Sequence, residues 1–215
     1  MSSTIKYFFK DIPEKLEKDP KPIISVEFES CLNLEKKYPN SVIHNFANNE
    51  RPGGPTSTFS QEGILLQQKL GSNTQEDVII RKYGQKLVLP KYYYPIIDNS
   101  VVGSEALLYS TCEKLQPVIT LPAINCPNFK NKKTRQSLIN RLLLLLWVCS
   151  LKEKTLITGL WGCGAFGMSP EDLVDCWKEA LKLSKYQPKQ IVFTILLDNY
   201  TKHYKKDTLV TLFSL

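Results

Sequence analysis

The chain has 215 residues, 42% of them apolar and 23% charged, and a formal net charge of +7. That length and composition can bury a full core in one domain, and they exclude a disordered, collagen-like or disulfide-framework chain. The positive balance favours an anionic partner by long-range attraction but does not choose among nucleotide, nucleic acid and acidic protein.

In chain order, Tyr7-Phe8-Phe9 is broken by Lys10 and Asp11 and reads as no leader. Disorder is confined, if anywhere, to the Lys-rich stretch from Glu14 to Lys21, and residues 1–22 read as peripheral. Ile23 to Phe28 predicts a strand, Leu32 to Tyr38 a short helix and Val42 to Ala47 a strand. After a loop, Gln61 to Leu70 carries a helical pattern stopped by Gly71, and Val78 to Lys82 with Lys86 to Leu89 suggests a hairpin around Gly84. Leu107 to Tyr109 and Val118 to Ile124 read as strands, and Thr134 to Ser150 as a buried helix. A strand at Thr155 to Leu160, a helix from Pro170 to about Lys185 and a strand from Ile191 to Leu197 complete the chain. For the last helix Ser169 is the expected N-cap, with Pro170 at the first helical position and Glu171 and Asp172 in the first turn. Strands separated by helices predict an α/β fold with a mostly parallel sheet covered on both faces.

The six cysteines form no C-x-x-C pair and read as buried thiols in a reducing, cytoplasmic setting, with a nuclear one open. His44 and His203 are too few and too far apart for a zinc site, so no metal and no cofactor is expected. His44 reads as a satisfied or edge histidine of its strand. The longest apolar run, Leu142 to Cys149, is too short for a membrane span.

Two glycine-bearing loops carry the functional signal. One runs from Asn45-Phe46-Ala47-Asn48 through Glu50 and Pro52-Gly53-Gly54 to Gln61-Glu62; the other is Trp161-Gly162-Cys163-Gly164-Ala165-Phe166-Gly167. Each follows a predicted strand and leads into a predicted helix, the position where open α/β sheets bind ligands. Glycines there let backbone N–H groups approach an anion, and a helix N-terminus adds its dipole. Gly162, Gly164 and Gly167 also satisfy G-x-G-x-x-G, so a nucleotide oxidoreductase is weighed. Against it, the next strand ends at Asp198, some thirty residues on, where the fingerprint expects an acid after about twenty. A plain strand-to-helix turn is the bland alternative for these glycines.

At these residues the chain resembles the microbial-type poly(ADP-ribose) glycohydrolases of the macrodomain superfamily. Asn45-Phe46-Ala47-Asn48 with Pro52-Gly53-Gly54 is similar to that family's N-F-A-N…P-G-G-G stretch, Gln61-Glu62 to the start of its Q-E-E signature, and Val118 to Ala123 to one of its strands. The most specific block runs from Leu156 through Trp161 and Gly167 to Pro170. The resemblance implies a macrodomain-like three-layer α/β/α sandwich, spanning 1–215 as a single ADP-ribose-binding domain. It implies that Asn48 hydrogen-bonds the distal ribose, that Gly53, Gly54 and Gln61 lie along it, and that Gly162, Cys163, Gly164, Ala165 and Gly167 offer backbone donors to the diphosphate. Phe166 would pack on the distal ribose, and Asp198, with Asn199, is placed at the adenine end by position. Asn48 has a bland reading too, as a turn-former.

Two departures stand out. Pro55 replaces the third glycine, and Gly63 replaces the second glutamate of Q-E-E, which that family uses as its catalytic acid. Glycosidic cleavage needs a carboxyl group. Glu62 is the candidate, with Glu50 behind it, although Glu50 also reads as a solvated loop charge. Two functions therefore stay open, an ADP-ribosyl glycohydrolase and a reader that binds ADP-ribose without cutting it, the oxidoreductase being a distant third. The expected partner is ADP-ribose or an ADP-ribosylated protein, bound by a monomer, with neither membrane nor direct nucleic-acid binding.

Overall fold

The computed structural model of the chain describes residues 2–53, 57–60, 65–68, 74–101, 103–125, 131–152, 154–196 and 204–215. Its elements are β1 (Ser3–Phe8), β2 (Ile23–Glu27), β3 (Ser41–Ala47), β4 (Ser57–Phe59), β5 (Leu65–Gln68), α1 (Gln75–Tyr83), β6 (Ala106–Cys112), β7 (Leu115–Pro122), α2 (Lys132–Leu151), β8 (Thr155–Gly159), α3 (Pro170–Leu183), β9 (Gln190–Thr194) and α4 (Lys206–Leu212). Seven strands form one sheet in the order β1-β6-β7-β3-β8-β9-β2. From β7 to β2 every neighbouring pair is parallel, while β6 runs antiparallel to both β1 and β7.

Burial on both faces explains the near-continuous apolar runs of the parallel strands, such as Ile191-Val192-Phe193, all fully buried. One face carries Tyr7, His44 and Phe193 and is covered by α2 and α3. There Trp147 meets Tyr7 edge-on at 5.7 Å, and Trp177 meets Phe193 at 5.4 Å. Leu144 to Cys149 are buried at every position, because sheet, β1 and α3 surround this end of α2. The other face carries Asn45 and Thr120 and is covered by α1, whose Glu76 lies over Asn45. The outcome is a three-layer α/β/α sandwich. No helix among the described residues is long and apolar enough to cross a membrane.

Local chemistry explains the ends of α3. Ser169 accepts from the Asp172 amide at 3.0 Å, as expected of the N-cap, and Pro170 opens the helix. Three expectations fail. Residues 78–89 are no hairpin: α1 spans Gln75–Tyr83, Ile79, Ile80 and Tyr83 recur on its buried face, and Gly84 at φ +51° stops it as a C-terminal glycine. Within the expected helix at 61–70, Leu65–Gln68 is a strand paired antiparallel with β4, since a short apolar run does not declare its period. Leu32 to Tyr38 is only a 3₁₀ turn at Cys31–Asn33 followed by one bond from the Tyr38 amide to the Leu34 carbonyl. Ser3–Phe8, passed over in the sequence, is the outer strand of the sheet.

Gly159 closes β8 where it crowds β9. A Cβ there would lie 2.4 Å from the Thr194 carbonyl oxygen and 3.4 Å from Cζ of Phe46. Gly159→Ala should therefore cost about 1–3 kcal/mol in urea unfolding, whereas Gly164→Ala, where a Cβ meets nothing within 4 Å, should leave the midpoint unchanged. Equal midpoints for Gly159→Ala and wild type would show that the β8–β9 approach is not tight.

Candidate functional site

Strands β3 and β8 pair only from Ser41 to Ile43, yet β3 continues to Ala47 on the β7 side. Beyond Ile43 the β8-facing edge of β3 is answered by a side chain. Gln75 Oε1 accepts from the Phe46 amide at 2.9 Å, and Gln75 Nε2 donates to the His44 carbonyl at 2.7 Å. The glutamine supplies the donor and acceptor of a missing strand, and the carboxyl ends of β3 and β8 part to leave a crevice. Such a crevice is where open parallel sheets take ligands.

Both glycine-bearing loops border it. In the first, Asn48 Oδ1 accepts from the amides of Glu50 at 2.8 Å and Arg51 at 3.1 Å, so Asn48 is a turn-former. Its Nδ2 carries no partner among the described residues. Asn49 is bonded through main chain and side chain to Ile96 and Ile97. Gly53 is buried at φ +67°, a conformation that favours glycine.

The second loop is anchored beneath by Trp161, whose Nε1 donates to the Leu121 carbonyl at 3.2 Å and whose ring lies 5.1 Å from that of His44. His44 is fully buried in a central strand, bonded through Nδ1 to Thr158 Oγ1 at 2.9 Å, and burial lowers it to about 3. It is a neutral core histidine, not an edge one. Gly162 at φ +83° and Gly167 at φ +71° set the path of the loop, locked by Met168 N to Gly162 O and Gly167 N to Gly164 O. Among the described residues the amides of Gly164, Ala165 and Phe166 donate to no protein acceptor. Successive amides without a protein acceptor are the donors from which an anion site is built. Phe166 is half-buried but absent from the side chains packed on the core, while burial pushes the Cys163 thiol up to about 12 and makes it no nucleophile. The helix dipole adds less than expected, because Ser169 and Asp172 already cap α3 and Glu171 stands in its first turn.

The structure also brings in residues that the sequence reading missed. At the start of α1, Thr74 Oγ1 accepts from the Asp77 amide and donates to Asp77 Oδ2 at 2.7 Å. Next to Gln75, Glu76 Oε2 accepts from the Asn48 amide at 2.9 Å, and the Gly53 amide also bonds this carboxyl. One carboxyl group thus holds both ends of the 48–53 turn of the first loop. Burial pushes Glu76 up to about 8; the amides of Asn48 and Gly53 and the Asn45 side chain oppose this, and Asp77 adds to it. Tyr94 is half-buried, with its hydroxyl out of water and unpartnered among the described residues and its pKa raised by burial and by Glu76. The signal was present as Thr74-x-x-Asp77 before an apolar pair, a capping box. Glu50 is exposed and hydrogen-bonded to Asn49, as a solvated loop charge would be. Gly54, Gln61, Glu62, Asp198 and Asn199 lie outside the described residues. No group of three metal-ligating side chains occurs among the described ones.

No family model and no curated protein matches the chain. Solved structures do. Poly(ADP-ribose) glycohydrolase from Deinococcus radiodurans in complex with ADP-ribose is 20% identical, with a TM-score of 0.69 over 98% of this chain and 92% of that one. The enzyme from Thermomonospora curvata is 16% identical, with a TM-score of 0.64 over 98% and 84%. The apo form from Deinococcus radiodurans gives 19% and 0.57 over 89% and 80%. The fold is that of these bacterial glycohydrolases.

The pH dependence of stability follows from Glu76. Its folded value lies above the ordinary 4.5, so its contribution is complete below 4.5 and is lost as pH rises through about 8. Wild type should lose on the order of 3 kcal/mol from this group between pH 5 and pH 8, and Glu76→Gln should flatten that slope in urea titrations. Identical slopes would mean that Glu76 is ionised in the fold at ordinary pH.

Proposed function

We propose that the protein is an ADP-ribosyl glycohydrolase that binds the distal ADP-ribose of its substrate in the crevice between β3 and β8. One observation carries this reading: the buried carboxyl group of Glu76 holds the Asn48 amide of the first loop beside the crevice that the two glycine loops border. Gln75-Glu76-Asp77 also fits the Q-E-E signature at the start of a helix, with a carboxyl retained at the third position. Cleavage of the glycosidic bond passes through an oxocarbenium-like transition state, and a carboxyl group must protonate the leaving oxygen or direct water.

In this reading the free amides of Gly164, Ala165 and Phe166 take the diphosphate, Phe166 lies against the distal ribose, and Asn48 Nδ2 donates to a ribose hydroxyl. Gly53 and Gly54 let the chain pass close to it, with Gln61 alongside and Asp198 toward the adenine. Glu76 positions the first loop. Asp77 and Glu62 are then the two candidates for the catalytic carboxyl, each in a Gln-Glu context. A reader without hydrolysis is favoured by two facts: Glu76 is occupied by the loop amides, and Asp77 is a methylene shorter than the glutamate of the signature.

Two tests separate these readings. Calorimetry should give micromolar ADP-ribose binding, roughly −8 kcal/mol, with NAD and AMP weaker. Gly164→Val should lose that binding with an unchanged melting temperature, because the position has no positive φ and open space around it. Normal binding by this variant would reduce the second loop to a turn, and a preference for NAD would favour the oxidoreductase. For chemistry, release of ADP-ribose from modified protein and from polymer is followed for wild type, Asp77→Asn and Glu62→Gln. The variant lacking the catalytic carboxyl should lose about a hundredfold or more in turnover while still binding ADP-ribose. No release by wild type at any pH makes the protein a reader.

A further inference from the structure

Among the described residues Arg141 is the only lysine or arginine that is buried. It stands in the apolar stretch of α2, between the buried Ile139 and Leu142, where packing alone would call for another leucine. Withdrawing a guanidinium from water is costly unless acceptors meet its N–H groups. Here they come from two different segments. Nη1 donates to the Pro122 carbonyl at 2.9 Å, and Nη2 donates to Asn99 Oδ1 at 2.9 Å.

Both acceptors adjoin the first loop. Pro122 is the last residue of β7, and the strand register sets it opposite Ala47, the last residue of β3 before Asn48. Asn99 lies in a turn closed by the bond from the Val101 amide to the Asp98 carbonyl at 3.1 Å, two residues after Ile97. Ile97 exchanges two bonds of 2.9 Å with the Asn49 side chain, and the Ile96 amide donates to the Asn49 carbonyl at 3.0 Å. One guanidinium therefore ties down the strand end beside Ala47 and the segment bonded to Asn49. Between Ala47 and Asn49 stands Asn48, whose Oδ1 makes the turn of the loop. A rigid planar fork holds two acceptors in one fixed geometry, which a leucine cannot do at all and the compact ammonium of a lysine does without the fork. Glu76 grips the same turn from α1 on one face of the sheet, and Arg141 grips its flanks from α2 on the other.

We propose that Arg141 is a positioning residue of the crevice, which acts through Pro122 and Asn99 to fix both flanks of Asn48, so that the Asn48 side chain meets the ligand already oriented. This rests on the reading of the crevice as an ADP-ribose site, and it adds a residue of α2, outside both glycine loops, that sets the geometry of that site.

The test uses full-length protein and two measurements, amide hydrogen exchange over residues 47–53 without ligand and calorimetry with ADP-ribose, each beside a melting curve. Asn99 is exposed, so Asn99→Ala removes the bond to Arg141 without opening a cavity. It should speed exchange at the Glu50 and Arg51 amides and weaken ADP-ribose binding about fivefold, the scale of one hydrogen bond, at an unchanged melting temperature. Asn99→Asp, which returns an acceptor to the guanidinium, should restore both. Arg141→Lys should weaken binding at least as much as Asn99→Ala, and where it fails to fold the Asn99 pair decides alone. Asn99→Ala that matches wild type in exchange and affinity, or a loss of affinity that Asn99→Asp does not restore, would overturn the assignment. Wild type that binds no ADP-ribose, while Asn99→Ala still speeds exchange in the loop, would instead overturn the reading of the crevice and leave the hold of Arg141 on the loop standing.

Discussion

A buried strand edge must find partners, and how β3 does so governs the rest of the molecule. Backbone N–H and C=O groups withdrawn from water cost free energy unless paired. β3 solves this on the β7 side with a strand and on the β8 side, beyond Ile43, with the carboxamide of Gln75. Had β8 continued the ladder, the carboxyl ends of the strands would be shut. Because one side chain does the work of a strand, they stay apart, and the helix that carries Gln75 must begin there. Glu76 and Asp77 come with it. The acid pair, the loop it holds and the crevice are consequences of a single pairing problem.

Electrostatics sharpens the consequence. Glu76 sits where two amides favour its ionised form while burial opposes it, and burial wins. Below about pH 8 the first loop is then held by a largely neutral carboxyl group. A carboxylic acid kept neutral at working pH can donate a hydrogen bond or a proton.

Legibility in the sequence followed how local the determining interaction was. β3, β7, β8, α2 and α3 were readable because continuous apolar runs, a Leu-rich helix and the Ser169-Pro170 cap declare themselves within a few residues. The glycine loops were readable for the same reason: Gly162 and Gly167 need positive φ whatever lies around them. The resemblance then gave the sandwich. The hairpin misread at 78–89 came from taking Gly84 as a turn when it is a helix stop, and this misreading hid Gln75, Glu76 and Asp77 in a supposed loop. Their role also depends on β3, some thirty residues earlier in the chain, and no window around residue 76 contains that fact. Leu65–Gln68 became a strand because Ser57–Phe59 offered a partner, which is tertiary context overriding a short pattern.

The second loop shows most directly why the crevice reads as a binding site rather than as a junction. A tight strand-to-helix turn needs only the bonds that close it, and here those are made by Met168, Gly167 and Cys163 to Gly162, Gly164 and Leu160. A turn under purely structural demand would not need an aromatic held off the core. Among the described residues this one leaves the amides of Gly164, Ala165 and Phe166 without a protein acceptor, and it leaves space for a Cβ at Gly164. Phe166 is half-buried and is not among the side chains packed on the core. Trp161 and His44 beneath it are locked by a hydrogen bond each, so the loop is presented on a rigid floor. Unspent donors on a fixed scaffold are what preorganised anion recognition requires, because the cost of arranging them is met in folding and not on binding.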